Sequence, residues 1–342
     1  MIRIALDAMG GDFSPQEEVK AAMAALQKYE DMQILLFGDP AQIKEQISKP
    51  QLLKEERIII MPTDEIITME DEPVKAIRRK KNSSMVRAAK AVKEGQADAL
   101  VSSGNTGALL AAGLLVVGRI KGIDRPGLMA IIPTLKGNRP NFILMDSGAN
   151  ADTKAVNLHQ FSIIANVYAQ QILEIPQPRV ALLNNGSEAS KGSSLSKEAF
   201  QLLNHEERIH FIGNVESKTL LDGPADIVIA DGFTGNAVLK NIEGVATGLL
   251  GYIKDILTES GLLTKIGGLL IKSAFKKKLQ ILDTSKAGGA VLLGVKAPVI
   301  KTHGSAKAEA IMYGIFQARA MVEGRVAERI SHHFDQNSLG ND

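Results

Sequence analysis

The chain has 342 residues and not one cysteine. That absence excludes disulfides, thiolate metal sites and a cysteine nucleophile, and it suits a reducing, cytoplasmic setting. Aromatic residues are only 4%. Proteins that hold single-stranded nucleic acid stack bases on aromatic rings, so no nucleic acid partner is expected. The start, MIRIALDAMGG, lacks a charged segment followed by an apolar core, so no export signal is expected. The longest uncharged stretch, 99–118, is long enough for a membrane span, but SSGNTG breaks it into strand, loop and buried helix. No convincing carboxylate cluster for a divalent metal is visible. The two TG turns match neither GxGxxG nor GxxxxGK[ST], so no dinucleotide or P-loop site is expected. Neither a metal nor a cofactor is therefore expected.

What is present is an ordinary globular composition: 45% apolar, 23% charged and a net charge of +2. Such a chain can bury a sizeable core without staples. Short β-rich runs at 2–7, 33–37, 57–61, 98–102, 128–133, 141–146, 179–183, 209–212, 226–230 and 298–301 alternate with helical patterns. The helices are expected at 15–29, 73–81, 84–94, 106–118, 153–173, 194–204, 235–257 and 305–330. This rhythm predicts an α/β fold, a mostly parallel sheet with helices on both faces. We expect one catalytic domain over 1–330, with a helical protrusion over about 244–286 that its glycines divide into short helices. Residues 331–342, polar and unpatterned, read as a flexible tail.

Strand, glycines, a small hydroxyl and a helix recur three times, in LDAMGGDFSPQEE, SSGNTGALL and DGFTGNAVLK. Helix N-termini leave amides unpaired, and glycine lets an oxyanion approach them, so several such turns at one sheet edge would suit phosphate. The candidates are Gly10, Gly11 and Asp12; Ser103, Gly104, Asn105, Thr106 and Gly107; and Asp231, Gly232, Thr234 and Gly235. Further polar groups follow other strands: Asn184, Gly186, Glu188 and Lys191 in one loop, Asp146, Gly148 and Asn150 in another, and Lys301 and His303 at a third. Ser14 with Glu17 has capping-box spacing, and Ser305 reads as a helix cap.

Together these motifs resemble the bacterial phosphate acyltransferases of phospholipid synthesis. The matching pieces are DAMGGD (7–12), DEPVKAIRRKKNSSM (71–85), SSGNTGALLAAG (102–113), GRIKGIDRPGL (118–128), GAN (148–150), NNGSE (184–188), IGNVE (212–216), DGFTGN (231–236), GGA (288–290) and KAPVIKTHG (296–304). They run in order along almost the whole chain. Departures are small: Ser103 stands where alanine is usual, and Ala287 where tyrosine often precedes GGA. The resemblance implies a homodimer with a fold like the isocitrate and isopropylmalate dehydrogenases and the phosphotransacetylases. It implies transfer of a fatty acyl group from acyl carrier protein to inorganic phosphate, with the positions of Lys191 and Asn236 as the catalytic pair. It also implies hand-off of the acyl phosphate to a membrane glycerol-phosphate acyltransferase. The nearest alternatives are a phosphotransacetylase using coenzyme A, a decarboxylating dehydrogenase, and a non-catalytic scaffold at the membrane surface.

Two surfaces follow from charge and spacing. Lys75, Arg78 and Arg79 share a helical face, with Lys80 and Lys81 beside it, a basic docking surface for an acidic carrier protein. Over 260–282, Leu262, Leu263, Ile266, Leu269, Leu270 and Phe275 form an apolar stripe flanked by lysines. Such a helix can lie on an anionic membrane, so peripheral membrane association is expected, with core or dimer interface as the alternative reading.

Overall fold

The computed structural model describes residues 1–136, 139–259, 261 and 288–335. Eleven strands form a single sheet: β1 Ile2–Asp7, β2 Met32–Gly38, β3 Ile58–Pro62, β4 Ala99–Ser102, β5 Gly127–Pro133, β6 Asn141–Met145, β7 Arg179–Asn184, β8 His210–Glu216, β9 Ile227–Ile229, β10 Ala290–Leu293 and β11 Val299–Lys301. The helices that matter here are α1 Gln16–Lys28, α2 Pro40–Gln46, α3 Gln51–Lys54, α4 Pro73–Arg79, α5 Ser84–Lys93, α6 Thr106–Ala112, α7 Ala155–Ile172, α8 Ser194–Asn204, α9 Gly232–Glu259, α10 Ala308–Glu323 and α11 Val326–Asp335. Strand order is β3-β2-β1-β4-β11-β10-β5-β6-β9-β7-β8.

The strands read as near-continuous apolar runs because both sheet faces are covered. In β1, Ile4 and Leu6 join the core beneath α1, α7 and α10, whereas Ala5 points into a second core under α5 and α6. In β2, Ile34 and Leu36 divide from Leu35 and Phe37 in the same way. That period of two is what pleated strands impose.

The sheet contains two parallel blocks. β3, β2, β1, β4 and β11 run together, and β6, β9, β7 and β8 run together. Between them the pairs β11–β10, β10–β5 and β5–β6 are all antiparallel. Three reversals leave the blocks pointing in opposite directions. The strand ends that carry the polar loops therefore form two clusters rather than the single edge expected from sequence.

Other expectations also change. β10 had been hidden in the run-out of the expected protrusion; its AVLL is short and buried, with no flanking pattern to mark it. The helix expected at 305–330 breaks at Gly324 and Arg325, the latter at φ 50°, and resumes as α11. Residues 331–335 are consequently helical, not tail, because Val326, Ile330 and Phe334 form one buried face. Residues 336–342 lie outside the described residues. α9 is one helix of 28 residues through Gly244, Gly248 and Gly251, so the expected division into short helices does not occur before Glu259. A glycine weakens a helix by about 1 kcal/mol without breaking its ladder. The expected membrane stripe, Leu262 to Phe275, lies outside the described residues. Among those described, no helix is long and apolar enough to cross a membrane.

Candidate active site

The first cluster gathers at the ends of β1, β4 and β11. Asp7, 1% exposed, accepts from Ser102 Oγ at 2.7 Å and from the Met9 amide at 3.3 Å. Burial raises its pKa, with Ser84 and Ser102 opposing. Gly10 lies against the Gly104 backbone; a Cβ there would sit 2.8 Å from Gly104 Cα. The Gly11 amide donates to Ser14 Oγ at 2.7 Å, and Ser14 Oγ donates to Glu18 Oε1 at 2.8 Å. Ser14 therefore ties the glycine turn to α1 instead of forming the expected capping box; α1 begins without a side-chain cap. Glu17 caps a distant helix, accepting from the Ala308 amide at 2.8 Å at the start of α10. Ser305, expected to cap that helix, bonds to His303 instead: its hydroxyl lies 2.8 Å from Nδ1, and its amide donates there at 3.2 Å.

Several expected anion donors are already used. The Asp12 amide donates to Gly304 O at 2.9 Å, and the Gly104 amide to Ser102 Oγ at 3.0 Å. Ser103 Oγ pairs with Thr302 Oγ1 at 2.8 Å. Asn105 caps α6 by accepting from the Ala108 amide, while its Nδ2 donates to the carbonyls of Thr68, Met69 and Asp71. Gly107 makes room for Pro73, whose Cγ would lie 2.6 Å from a Cβ. Of the predicted site residues in this cluster, Asp12, Thr106 and His303 remain exposed.

One titratable group in this cluster, Glu18, escaped the sequence reading of the site, whereas Lys301 was named there and is half-buried in the same cluster. Glu18 is 1% exposed, and burial pushes its carboxyl up to about 7; its Oε2 has no hydrogen-bond partner. Lys301 Nζ donates to Ser103 O at 3.3 Å and to Thr302 O. Burial lowers its pKa to about 8, against the charges of Asp7 and Asp12. Lys240 of α9 also lowers it, so α9 brings charge from the second cluster toward the first.

The second cluster sits at the ends of β6, β7 and β9. Asp146 is fully buried and accepts from the amides of Leu128, Gly148, Ala149 and Asn150 at 2.8–3.1 Å, and from Asn150 Nδ2 at 2.8 Å. Burial raises its pKa and those donors oppose it. The loop 147–150 is thus wound around one carboxylate. The first turn of α9 lies directly on it. The Gly232 amide donates to Asn150 O at 2.9 Å, and a Cβ at Gly235 would collide with the Asp146 carbonyl oxygen. Asp231 accepts from the Thr234 amide at 2.9 Å and from its hydroxyl at 2.7 Å.

That seating leaves Asn236 exposed over Gly148, a position at φ 138° where a Cβ would lie 3.4 Å from Asn236 Oδ1. The neighbouring strand carries Lys191, since β7 pairs β9 with Leu182 opposite Ile229. Asn184 Nδ2 donates to Lys191 O at 3.2 Å, and the Lys191 amide donates to Glu188 O at 3.1 Å. Asn214 Nδ2 holds Glu188 O at 2.9 Å, and a Cβ at Gly186 would meet Lys191 Cγ at 2.8 Å. Neither Lys191 Nζ nor the Asn236 amide group bonds to any described residue. Among the described residues no cluster of three metal-ligating side chains occurs.

The basic face is partly neutralised. Lys75 pairs with Glu72, and Lys80 Nζ donates to Asp71 at 2.6 Å and Ile66 O at 2.9 Å. Arg78 and Arg79, in the last turn of α4, are exposed and have no ion-pair partner among the described residues. Lys81 is exposed, and its carbonyl accepts from Lys90 Nζ at 3.3 Å.

An open α/β sheet with helices on both faces and polar loops at its strand ends is the architecture of the phosphotransacylases. A branched-chain phosphotransacylase from Enterococcus faecalis shares it at a TM-score of 0.59 and 18% identity, covering 94% of this chain and 99% of the other. A phosphotransacetylase from Streptococcus pyogenes does so at 0.58 and 17%, covering 96% and 94%. At those identities the likeness concerns fold alone. The sequence is more specific: residues 2–329 match the family model described as "Fatty acid synthesis protein". A phosphate acyltransferase of Streptococcus uberis is 52% identical over 342 residues, the full length of both chains. One of Pediococcus pentosaceus is 50% identical over 98% of this chain and 95% of its own. The chain belongs to the fatty acid synthesis protein family and, within it, to the phosphate acyltransferases.

Proposed function

We propose that the protein transfers a fatty acyl group from the thioester of acyl carrier protein to inorganic phosphate, with Lys191 and Asn236 as the working pair. The supporting observation is that both side chains are exposed and, among the described residues, unengaged at neighbouring strand ends, while hydrogen bonds hold the loops that carry them. A phosphate oxygen is itself the nucleophile. It attacks the thioester carbon, the carbonyl oxygen takes up negative charge, and the carbon–sulfur bond then breaks to release the carrier thiolate, which water reprotonates. A thiol of pKa about 8.5 leaves without strong acid assistance. The enzyme must orient phosphate against the carbonyl and stabilise the growing oxyanion. Lys191 neutralises phosphate as a point cation, and Asn236 donates its amide N–H to the oxyanion.

In this reading the carrier docks on Arg78 and Arg79, the two cations of α4 without a carboxylate partner among the described residues. The chain acts in the cytoplasm as a homodimer in peripheral contact with the membrane, where its amphiphilic product is handed to a membrane glycerol-phosphate acyltransferase. The fold neighbours favour one second reading, a coenzyme A thioester as donor.

One assay tests the reaction and the donor together. Free thiol release is followed with acyl carrier protein or acyl coenzyme A, each with and without phosphate, and the enzyme is weighed by mass spectrometry. Phosphate-dependent release from the carrier thioester, with no mass added to the protein, is expected. A stable acylated enzyme formed without phosphate would refute direct attack, and equal turnover of coenzyme A would refute the carrier.

A further inference from the structure

Away from both clusters, a cavity of about 370 Å³ runs between α5 and the sheet-edge strands β2 and β3. Of its apolar lining, Met61 is half-buried while Phe37 and Ala91 are only 1% and 2% exposed; Lys81, Arg87 and Lys90 supply its charge. Among the described residues these three cations have no carboxylate partner. Arg87 Nη1 donates to Asn82 Oδ1 at 3.0 Å, and Lys90 Nζ donates to the Lys81 carbonyl. Arg87 and Lys90 are both half-buried. A half-buried cation without a counter-ion gives up hydration and recovers little from a neutral acceptor.

The arrangement is also held in place. Asn82, which orients Arg87, donates its backbone amide to Glu65 Oε2 at 2.9 Å and its Nδ2 to Asp64. Those two carboxylates grip Asn82 and do not line the cavity. The single carboxylate that does, Glu94, accepts from Gln96 Nε2 at 3.4 Å. Three cations against one carboxylate leave two positive charges facing the cavity.

We infer that this cavity binds a phosphate monoester carrying a compact apolar group. A monoester holds a charge near −1.5 to −2 at neutral pH, matching the surplus. The Arg87 guanidinium suits phosphate oxygens as a planar fork, and the lysines act as point charges. The apolar part of the ligand lies on Met61, the accessible apolar side chain of the lining. The volume is at the small end of the range for small-molecule sites. β2 stands seven strands from β9 in the sheet order, roughly 30 Å at about 4.8 Å per strand. The cavity is thus a site separate from Lys191 and Asn236.

Phenyl phosphate is the minimal probe, with phenol lacking the charge and inorganic phosphate lacking the ring. Titration calorimetry on the full chain is expected to show saturable binding of phenyl phosphate at least tenfold tighter than of phenol. The double substitution Arg87→Met and Lys90→Met is expected to weaken it at least tenfold, with unfolding curves checking that the variant stays folded. Lys191→Ala is expected to leave it unchanged. Absent or equal binding of phenyl phosphate and phenol overturns the inference. So does binding that survives the double substitution, or that disappears in Lys191→Ala, which would assign it to the other site.

Discussion

The two loop clusters share one local grammar and differ in what they leave open. In the first, the side chains turn inward: Asp7 and Glu18 are buried, Lys301 is half-buried, and Ser14, Ser102, Ser103 and Asn105 are bonded to the structure around them. In the second, the inward work is done by two carboxylates, Asp146 and Asp231, which absorb the loop and helix-start donors. Among the described residues, the Lys191 and Asn236 side chains are thereby left without partners on fixed backbone. A glycine turn before a helix is thus not in itself an anion site. The deciding feature is whether local carboxylates, hydroxyls and carbonyls have already claimed its donors. The first cluster holds the fold together at charged cost, and the second presents working groups.

The sharpest test of that contrast removes the open groups. Lys191→Ala and Asn236→Ala are each expected to lose roughly 100- to 1,000-fold in turnover, the range for deleting one transition-state donor. Their urea midpoints should stay near the parent's, since neither side chain bonds to the fold. Rates near the parent's in either variant would remove that residue from the chemistry.

Next in size is the seat of Asn236. Gly235→Ala would force a Cβ onto the Asp146 carbonyl, a backbone atom that cannot step aside. It is expected to cost about 2–4 kcal/mol in stability and to abolish acyl transfer. Gly244→Ala, in the same helix but with nothing within 4 Å of the added carbon, should gain up to about 1 kcal/mol. Equal unfolding midpoints for the two variants would show that α9 is not seated on the 146–150 loop.

The first cluster is probed through Glu18. Its carboxyl titrates at about 7 when folded against 4.5 in an unperturbed chain. Between those values the folded chain keeps a proton that the unfolded chain has released. Stability is therefore fully present below pH 4.5 and falls as pH rises to 7, by on the order of 3 kcal/mol. Glu18→Gln removes that slope. Urea unfolding at pH 4.5 and pH 8 should show the parent losing about 2–3 kcal/mol more than the variant. Parallel profiles would mean that Glu18 is ionised throughout. Lys301 contributes with the opposite sign in a higher window: its pKa is depressed to about 8 from 10.5, so stability rises with pH between those values.

Much of this was legible in the sequence, and the exceptions have physical reasons. The strands of the two parallel blocks announce themselves because both faces are apolar, and the chemistry-bearing loops follow them. The opposed direction of the blocks was not legible, since it depends on β10, whose four residues carry no periodicity. Asn105 looks like a ligand residue because an N-cap and an anion site use the same residue types. Only the Thr68, Met69 and Asp71 carbonyls, more than thirty positions away, decide between them. Glu18 was hidden because a glutamate near a helix start reads as solvated, and its burial depends on loops from β4 and β11. Lys191 and Asn236 as a pair came from family resemblance; the structure adds that neither side chain has a partner among the described residues.

The smallest effect expected is at the surface. Lys75 and Lys80 already have carboxylate neighbours, whereas Arg78 and Arg79 do not. A carrier protein steered by charge should therefore feel the arginines more than the lysines. Arg78→Glu with Arg79→Glu is expected to raise KM for carrier protein about 5- to 20-fold, with kcat little changed and a flatter dependence on salt, because exposed charges act within a Debye length of about 8–10 Å. Lys75→Glu, which leaves Glu72 beside a second carboxylate, should act less than twofold on KM. A larger effect at Lys75 than at the arginines would move the docking face off the end of α4.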